Sequence, residues 1–253
     1  MKDFIIKRFS HIKWVHTMLG RLVYQLVMIG TEFQDVPDAH KQVFQRVKPF
    51  TMTSEHNVYT LLRCLEHLKQ HQIPGSIVEC GVWRGGMMMA ALHGLQLIGD
   101  TTRDVYLYDT FEGMVEPGAE DDEKARKLYV EYKRADGSSE WCRSTIDEVK
   151  GNLASCKYPQ EKLHFIKGKV EESIPGVLPG QIALLRLDTD WYESTRHEFE
   201  HLFPLVAKGG FVIIDDYGAW QGSRKATDEY LAKHNLSYFL HRIDTCSRMF
   251  VKT

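Results

Sequence analysis

Four aspartates carry the strongest chemical signal in the sequence. Asp188 and Asp190 close the run Leu187-Asp188-Thr189-Asp190. Asp215 and Asp216 close Gly209-Gly210-Phe211-Val212-Ile213-Ile214-Asp215-Asp216. Each run reads as an apolar strand ending in acid. Glu193 to Ala207, between them, has helical length and pattern. Two neighbouring parallel strands would carry their carboxylates to one sheet edge, the edge where open α/β sheets bind ligands. Carboxylates gathered there repel one another unless a cation or a proton intervenes, and an all-oxygen set suits a hard ion such as magnesium. Strand-end aspartates also cap following helices. Capping accounts for one per strand but not for two on each. Asp188 and Asp215 are therefore read as metal-binding or catalytic, ahead of Asp190.

A second constellation lies upstream, in Ile77-Val78-Glu79-Cys80-Gly81-Val82-Trp83-Arg84-Gly85-Gly86. It reads as a strand, a glycine turn and a helix start. The glycines let the backbone turn sharply and approach a ligand closely. The turn is not GxGxxG, because Trp83 occupies an intermediate position, and it is not a P-loop, because no Gly-Lys-Ser/Thr follows. The next strand ends at Asp109, where a carboxylate can accept hydrogen bonds from both ribose hydroxyls of a nucleotide-like cofactor. A helix or turn cap is the alternative for Asp109. Tyr192 to Thr195, beside the acidic cluster, either line a substrate pocket or pack a helix start. The twelve histidines form no HExxH and no nucleophile elbow, so a Ser or Cys nucleophile is not supported.

The elements that must position these groups follow from pattern. Residues 1 to about 72 read as helical. Thr53 or Ser54 caps a helix running to His71, with Val58, Leu61, Leu62, Leu65 and Leu68 as its apolar face. Pro74-Gly75 breaks the chain, and strand and helix alternate from Ser76. Strands are expected at 76–80, 104–108, 163–166, 182–187 and 210–214, and helices at 86–98, 193–207 and 221–234. The longest strand runs are continuously apolar, as when helices cover both faces of a parallel sheet. Residues 237–242 and 247–251 read as a closing antiparallel hairpin. The expectation is an α/β doubly wound sheet domain over 73–253 with an N-terminal helical extension over 1–72. Residues 112–160 are too long for a simple connection and read as a lid or substrate wall. The charge run Glu120-Asp121-Asp122-Glu123 reads as a solvated helix start.

Composition narrows the function class. The chain has 253 residues, 43% hydrophobic and 26% charged, ordinary for a soluble globular protein. Its formal net charge of −2 gives no electrostatic case for nucleic acid. Five cysteines show no disulfide or metal spacing and read as reduced thiols of a cytoplasmic protein. Near the N-terminus Phe4, Ile5, Phe9, Ile12, Leu19, Val23 and Leu26 recur with helical spacing among basic residues. The longest uncharged run there, Leu22 to Thr31, is about half of the roughly 20 residues a membrane span needs. No small-residue cleavage pattern follows, which speaks against a signal peptide. A basic amphipathic helix could touch a membrane surface; packing on the domain or on a partner subunit is the preferred reading, so a homo-oligomer is expected.

Four runs taken in order closely resemble the macrocin O-methyltransferase family. They are Glu79 to Gly86, Tyr108-Asp109-Thr110-Phe111-Glu112-Gly113, Leu185 to Thr195, and Gly209 to Tyr217. The resemblance covers about residues 48–235. It implies a Rossmann-like, class I S-adenosylmethionine-dependent methyltransferase with a divalent metal, usually magnesium. By that resemblance Glu79, Gly81 and Asp109 contact S-adenosylmethionine, and Asp188, Asp215 and Asp216 bind the metal. Either Asp188 or Asp190 is the base. Met52 matches a Thr-Met segment that helps enclose the site. Gly85, Thr110 and Phe111 fall inside the matched runs and join the expected cofactor set. Trp83 offers an aromatic face to the cationic sulfonium. The implied acceptor is a sugar hydroxyl, since the family includes enzymes that methylate deoxysugars of macrolide antibiotics. The segment 114–145 matches poorly, which points to a glycoside other than a macrolide. Two alternatives stay open: a catechol-type methyltransferase acting on an aromatic diol, and a non-catalytic nucleotide-binding protein, against which the intact aspartate set argues.

Overall fold

The apolar runs pair into one seven-stranded sheet. In the computed structural model, which describes residues 34–253, the strands are β1 (Ser76–Cys80), β2 (Val105–Asp109), β3 (Leu163–Lys167), β4 (Ile182–Leu187), β5 (Val206–Ile214), β6 (His241–Arg242) and β7 (Arg248–Val251). Their order is β3-β2-β1-β4-β5-β7-β6. The first five are parallel, and β7 runs antiparallel to both neighbours. The order reverses between β1 and β4, and a ligand crevice opens at such a switch point. The helices are α1 (Asp38–Val47), α2 (Glu55–Gln70), α3 (Gly86–Leu97), α4 (Glu123–Tyr132), α5 (Ile146–Ala154), α6 (Val170–Ser173), α7 (Tyr192–His201) and α8 (Gln221–Lys233). The sheet lies in a compact unit spanning Gln42–Thr253.

Alternate residues of each strand feed two cores, one per face. Ile77, Leu107, Leu184 and Ile213 pack with Val58, Leu61 and Leu65 of α2, Met88 and Leu92 of α3, and Val149 and Leu153 of α5. Val78, Tyr108, Leu185 and Val212 pack with Val170 of α6, Phe199 of α7, and Tyr230 and Leu231 of α8. Both faces are covered, which is why these strands carry no polar alternation. Ser54 caps α2, its hydroxyl accepting from Asn57 N.

The structure departs from the expected elements in four places. The helix expected over 193–207 ends at His201, because Pro204 cannot continue it and a 3-10 turn, Phe203–Leu205, follows. Strand β5 therefore begins at Val206 rather than 210. It carries an irregularity at Lys208–Gly210: Ile182 pairs with Val206 and Leu184 with Phe211. The closing hairpin is present, but β6 is only two residues long. Helix α5 was not expected; Thr145 caps it by accepting from Glu148 N. The N-terminal apolar stripe, Phe4 to Leu26, lies outside the described residues. Among the described residues no helix is long and apolar enough to cross a membrane.

Candidate active site

Strand register builds the site. Leu187 pairs with Ile214, so the next residues, Asp188 and Asp215, emerge side by side at the carboxyl edge. The ladder continues through them: Asp188 N donates to Cys80 O at 2.8 Å and Asp215 N to Leu187 O at 2.9 Å. Glu79 pairs with Arg186, and Arg186 with Ile213. With a side-chain period of two, Glu79, Arg186, Asp188 and Asp215 share one sheet face. Arg186 is 1% exposed. Its Nη1 donates to Glu79 Oε1 at 2.7 Å and to Asp188 Oδ2 at 2.6 Å. Its Nη2 sits 2.7 Å from Asp215 Oδ1, an ion pair too bent to be a hydrogen bond.

The glycine turn forms the other half of the crevice. Gly81, Trp83 and Gly85 all have positive φ, 82°, 47° and 85°. The Asp109 carboxylate holds the turn by accepting from Val82 N at 2.6 Å, Trp83 N at 3.0 Å and Phe111 N at 2.7 Å. Burial raises the Asp109 pKa, and those three donors pull it back. A pocket of about 230 Å³ is lined by Met52, Gly81, Trp83, Asp109 and Thr110, and by all four aspartates Asp188, Asp190, Asp215 and Asp216. Ser194 reaches this lining, while Tyr192 starts α7 and bonds Glu229 through its hydroxyl. Of the other expected cofactor residues, Glu79, Gly85 and Phe111 are buried behind the lining. Met52 stands at the rim, 68% exposed.

The charge of the cluster is incompletely met by the protein. Burial drives the carboxyl groups of Asp188, Asp190 and Asp216 well above their usual range, and the neighbouring aspartates add to it. Burial also pushes Glu79 up to about 7 against the pull of Arg186. Asp190 is hydrogen-bonded to Asp216 through its backbone N–H, which donates to Asp216 Oδ2 at 3.1 Å. Oxygen atoms of Asp188, Asp215 and Asp216 come within 4.8 Å of one another. Arg186 takes one oxygen of Asp188 and one of Asp215, leaving the second of each. A hard divalent cation fits this set: the donors are all oxygen and the negative charge exceeds the single guanidinium.

The pattern of the macrocin-O-methyltransferase (TylF) family matches residues 16–252. The chain belongs to the macrocin-O-methyltransferase family. It is 33% identical over 231 residues to the 8-demethyl-8-(2,3-dimethoxy-alpha-L-rhamnosyl)-tetracenomycin-C 4'-O-methyltransferase of Streptomyces olivaceus, covering 90% of this chain and 86% of that one. It is 31% identical over 235 residues to the demethyldecarbamoylnovobiocin O-methyltransferase of Streptomyces niveus, covering 86% and 87%. The O-methyltransferase NovP superposes with a TM-score of 0.72 at 29% identity, covering 81% of this chain and 82% of that chain. The protein is an S-adenosylmethionine-dependent O-methyltransferase.

In this macrocin-O-methyltransferase family member, the insertion between β2 and β3 is fastened to the acidic strand ends. Asp121 accepts from Tyr192 N at 2.9 Å, at the start of α7, and from Gly118 N at 2.7 Å. The expected solvated helix start therefore holds only in part: Asp122 caps α4, but Asp121 is buried. Trp141 of the insertion, Trp191 after β4 and Trp220 after β5 meet edge to face with centroids 5.3–5.9 Å apart. Trp191 Nε1 donates to Val115 O at 3.0 Å. Sequence reasoning placed Asp121 only in the solvated helix start and assigned no role to Arg186 or to Ser247, whose hydroxyl donates to Asp215 Oδ1 at 2.9 Å. A charged residue inside the apolar run Ile182–Leu187 was the available signal for Arg186, since a buried charge demands partners.

Proposed function

We propose that this methyltransferase acts on a hydroxyl of a sugar or glycoside, with a divalent cation, magnesium, held by Asp188, Asp215 and Asp216. The observation that carries the reading is that these three carboxylates open into the same pocket as the glycine turn and Asp109. The sugar acceptor is supported by the Streptomyces olivaceus relative, whose name places its reaction on a rhamnosyl group. The glycine turn and Asp109 hold S-adenosylmethionine, with Trp83 an aromatic wall for the sulfonium. The chemistry the ion supplies when bound is Lewis acidity toward an alcohol oxygen and orientation of a neighbouring hydroxyl. Asp190 accepts the proton that the acceptor hydroxyl loses, because Asp188 is committed to Arg186 and the ion. The acceptor oxygen forms a bond to the methyl carbon as the carbon–sulfur bond breaks. The electron pair of that bond stays on sulfur, leaving a neutral thioether. All five thiols are free, consistent with a cytoplasmic setting.

Labelled S-adenosylmethionine, tested against a vicinal-diol sugar, its monodeoxy analogue and a catechol, with magnesium or with excess chelator, checks the reading. The expected result is methylation of the diol sugar in magnesium alone, and loss of that activity in Asp215→Ala with the fold retained. Methylation of the catechol and of neither sugar overturns the acceptor; full turnover in chelator overturns the metal.

A further inference from the structure

We propose that Arg186 and Ser247 form a clamp that decides which oxygen of Asp188 and of Asp215 faces the cation, and so act as positioning residues of the metal site. The inference rests on reading Asp188, Asp215 and Asp216 as the metal ligands. Two independent contacts, one ion pair and one hydrogen bond, converge on one oxygen. Arg186 Nη2 lies 2.7 Å from Asp215 Oδ1, and Ser247 Oγ donates to that same atom at 2.9 Å. The Asp215 carboxylate is thereby held against rotation, with Oδ2 left toward the ion. Arg186 Nη1 does the same on Asp188 by taking Oδ2 at 2.6 Å, leaving Oδ1.

Both clamp residues are anchored rather than adaptable. Arg186 is 1% and Ser247 0% exposed. Arg186 is fixed from behind by Glu79 at 2.7 Å. Ser247 N donates to Asp244 Oδ1 at 2.9 Å. Asp244 Oδ2 in turn accepts from Ser54 Oγ and Asn57 Nδ2, each at 2.6 Å. A hydrogen-bonded chain thus runs from the N-cap of α2, through the β6–β7 turn, to the metal ligand. Arginine suits the central place because its planar fork spans two carboxylates at once, which a lysine point charge cannot do. Without the guanidinium, three adjacent carboxylates would splay apart before an ion arrives. Partners of this kind fix the orientation of ligating carboxylates, and their loss costs roughly 10–100-fold in metal affinity.

The test is manganese binding to the full chain by calorimetry and electron paramagnetic resonance, without acceptor, beside S-adenosylmethionine binding measured separately. Ser247→Ala keeps every ligand and touches no cofactor-turn residue. We expect it to weaken manganese binding at least about tenfold and to broaden the manganese signal, with cofactor affinity unchanged. Arg186→Lys is expected to weaken manganese binding further. Equal loss of manganese and cofactor binding in Ser247→Ala would mark a general structural defect and overturn the clamp. Manganese binding as tight in Ser247→Ala as in the wild type also overturns it, while leaving the metal reading intact. A wild-type chain that takes no manganese overturns the metal reading and the clamp with it.

Discussion

Gly81 shows how little room the two halves of the site leave each other. A Cβ there would stand 1.9 Å from Asp188 O, and the residue's φ of +82° already excludes most side chains. Gly81→Ala must therefore push the start of the glycine turn away from the end of β4. The expected outcome is a loss of more than about 1 kcal/mol of stability by denaturant titration, with weaker binding of both S-adenosylmethionine and manganese in calorimetry. A variant as stable and as tight as the wild type would show that the two strand ends do not press on each other. The glycine and the aspartates were legible in the sequence because type and spacing alone mark them. Arg186 was not, because its meaning comes from register: only the pairing of Glu79 with Arg186 shows that it stands among carboxylates. Ser247 was hidden for the same reason, being distant in sequence from Asp215, the carboxylate it holds. Glu198 is a further case. It is buried on α7 with Thr189 donating to it at 2.9 Å, beneath the loop that carries Asp188 and Asp190.

At the scale of elements, the strands that lie inside the sheet were readable end to end. β1 and β4 fall on the expected 76–80 and 182–187, because continuous apolar runs bounded by glycine or acid have one natural reading. β5 was read short because Lys208-Gly209-Gly210 interrupts its apolar run at the irregular pairing. Helix α5 was missed although Thr145-Ile146-Asp147-Glu148 has the capping-box spacing, since its helix is only nine residues long. The insertion itself was legible from its length, but not its fastening, which depends on one buried carboxylate meeting the first N–H of α7. Asp121→Ala removes the acceptor for both Tyr192 N and Gly118 N. It should cost about 1–3 kcal/mol, the desolvation penalty of buried donors left unpaired. Steady-state kinetics should show a raised KM for the acceptor while the cofactor's dissociation constant stays put. An unchanged acceptor KM would mean that the insertion does not form the acceptor wall.

At the scale of the whole molecule, we propose self-association through the N-terminal apolar stripe, since an amphipathic sequence of that length needs an apolar surface to pack against and a second copy supplies one. Light scattering on the full chain should give a dimer or larger, and Leu19→Glu with Leu26→Glu should reduce it toward the monomer. A monomeric wild type would mean that the stripe is covered within its own chain. A different consequence follows from the distances in sequence that the site spans. Glu79 and Arg186 are 107 residues apart, and Ser54 and Asp244 are 190 apart. Contacts between such remote partners form only after the entropy of closing the intervening chain has been met, which makes them late events in folding. A nascent or partly unfolded copy of this enzyme therefore carries the aspartates but no chelating centre. On the proposed metal reading, an ion would have only the finished fold to bind, so it would act as a selective stabiliser of mature molecules and draw the folding equilibrium toward them by mass action.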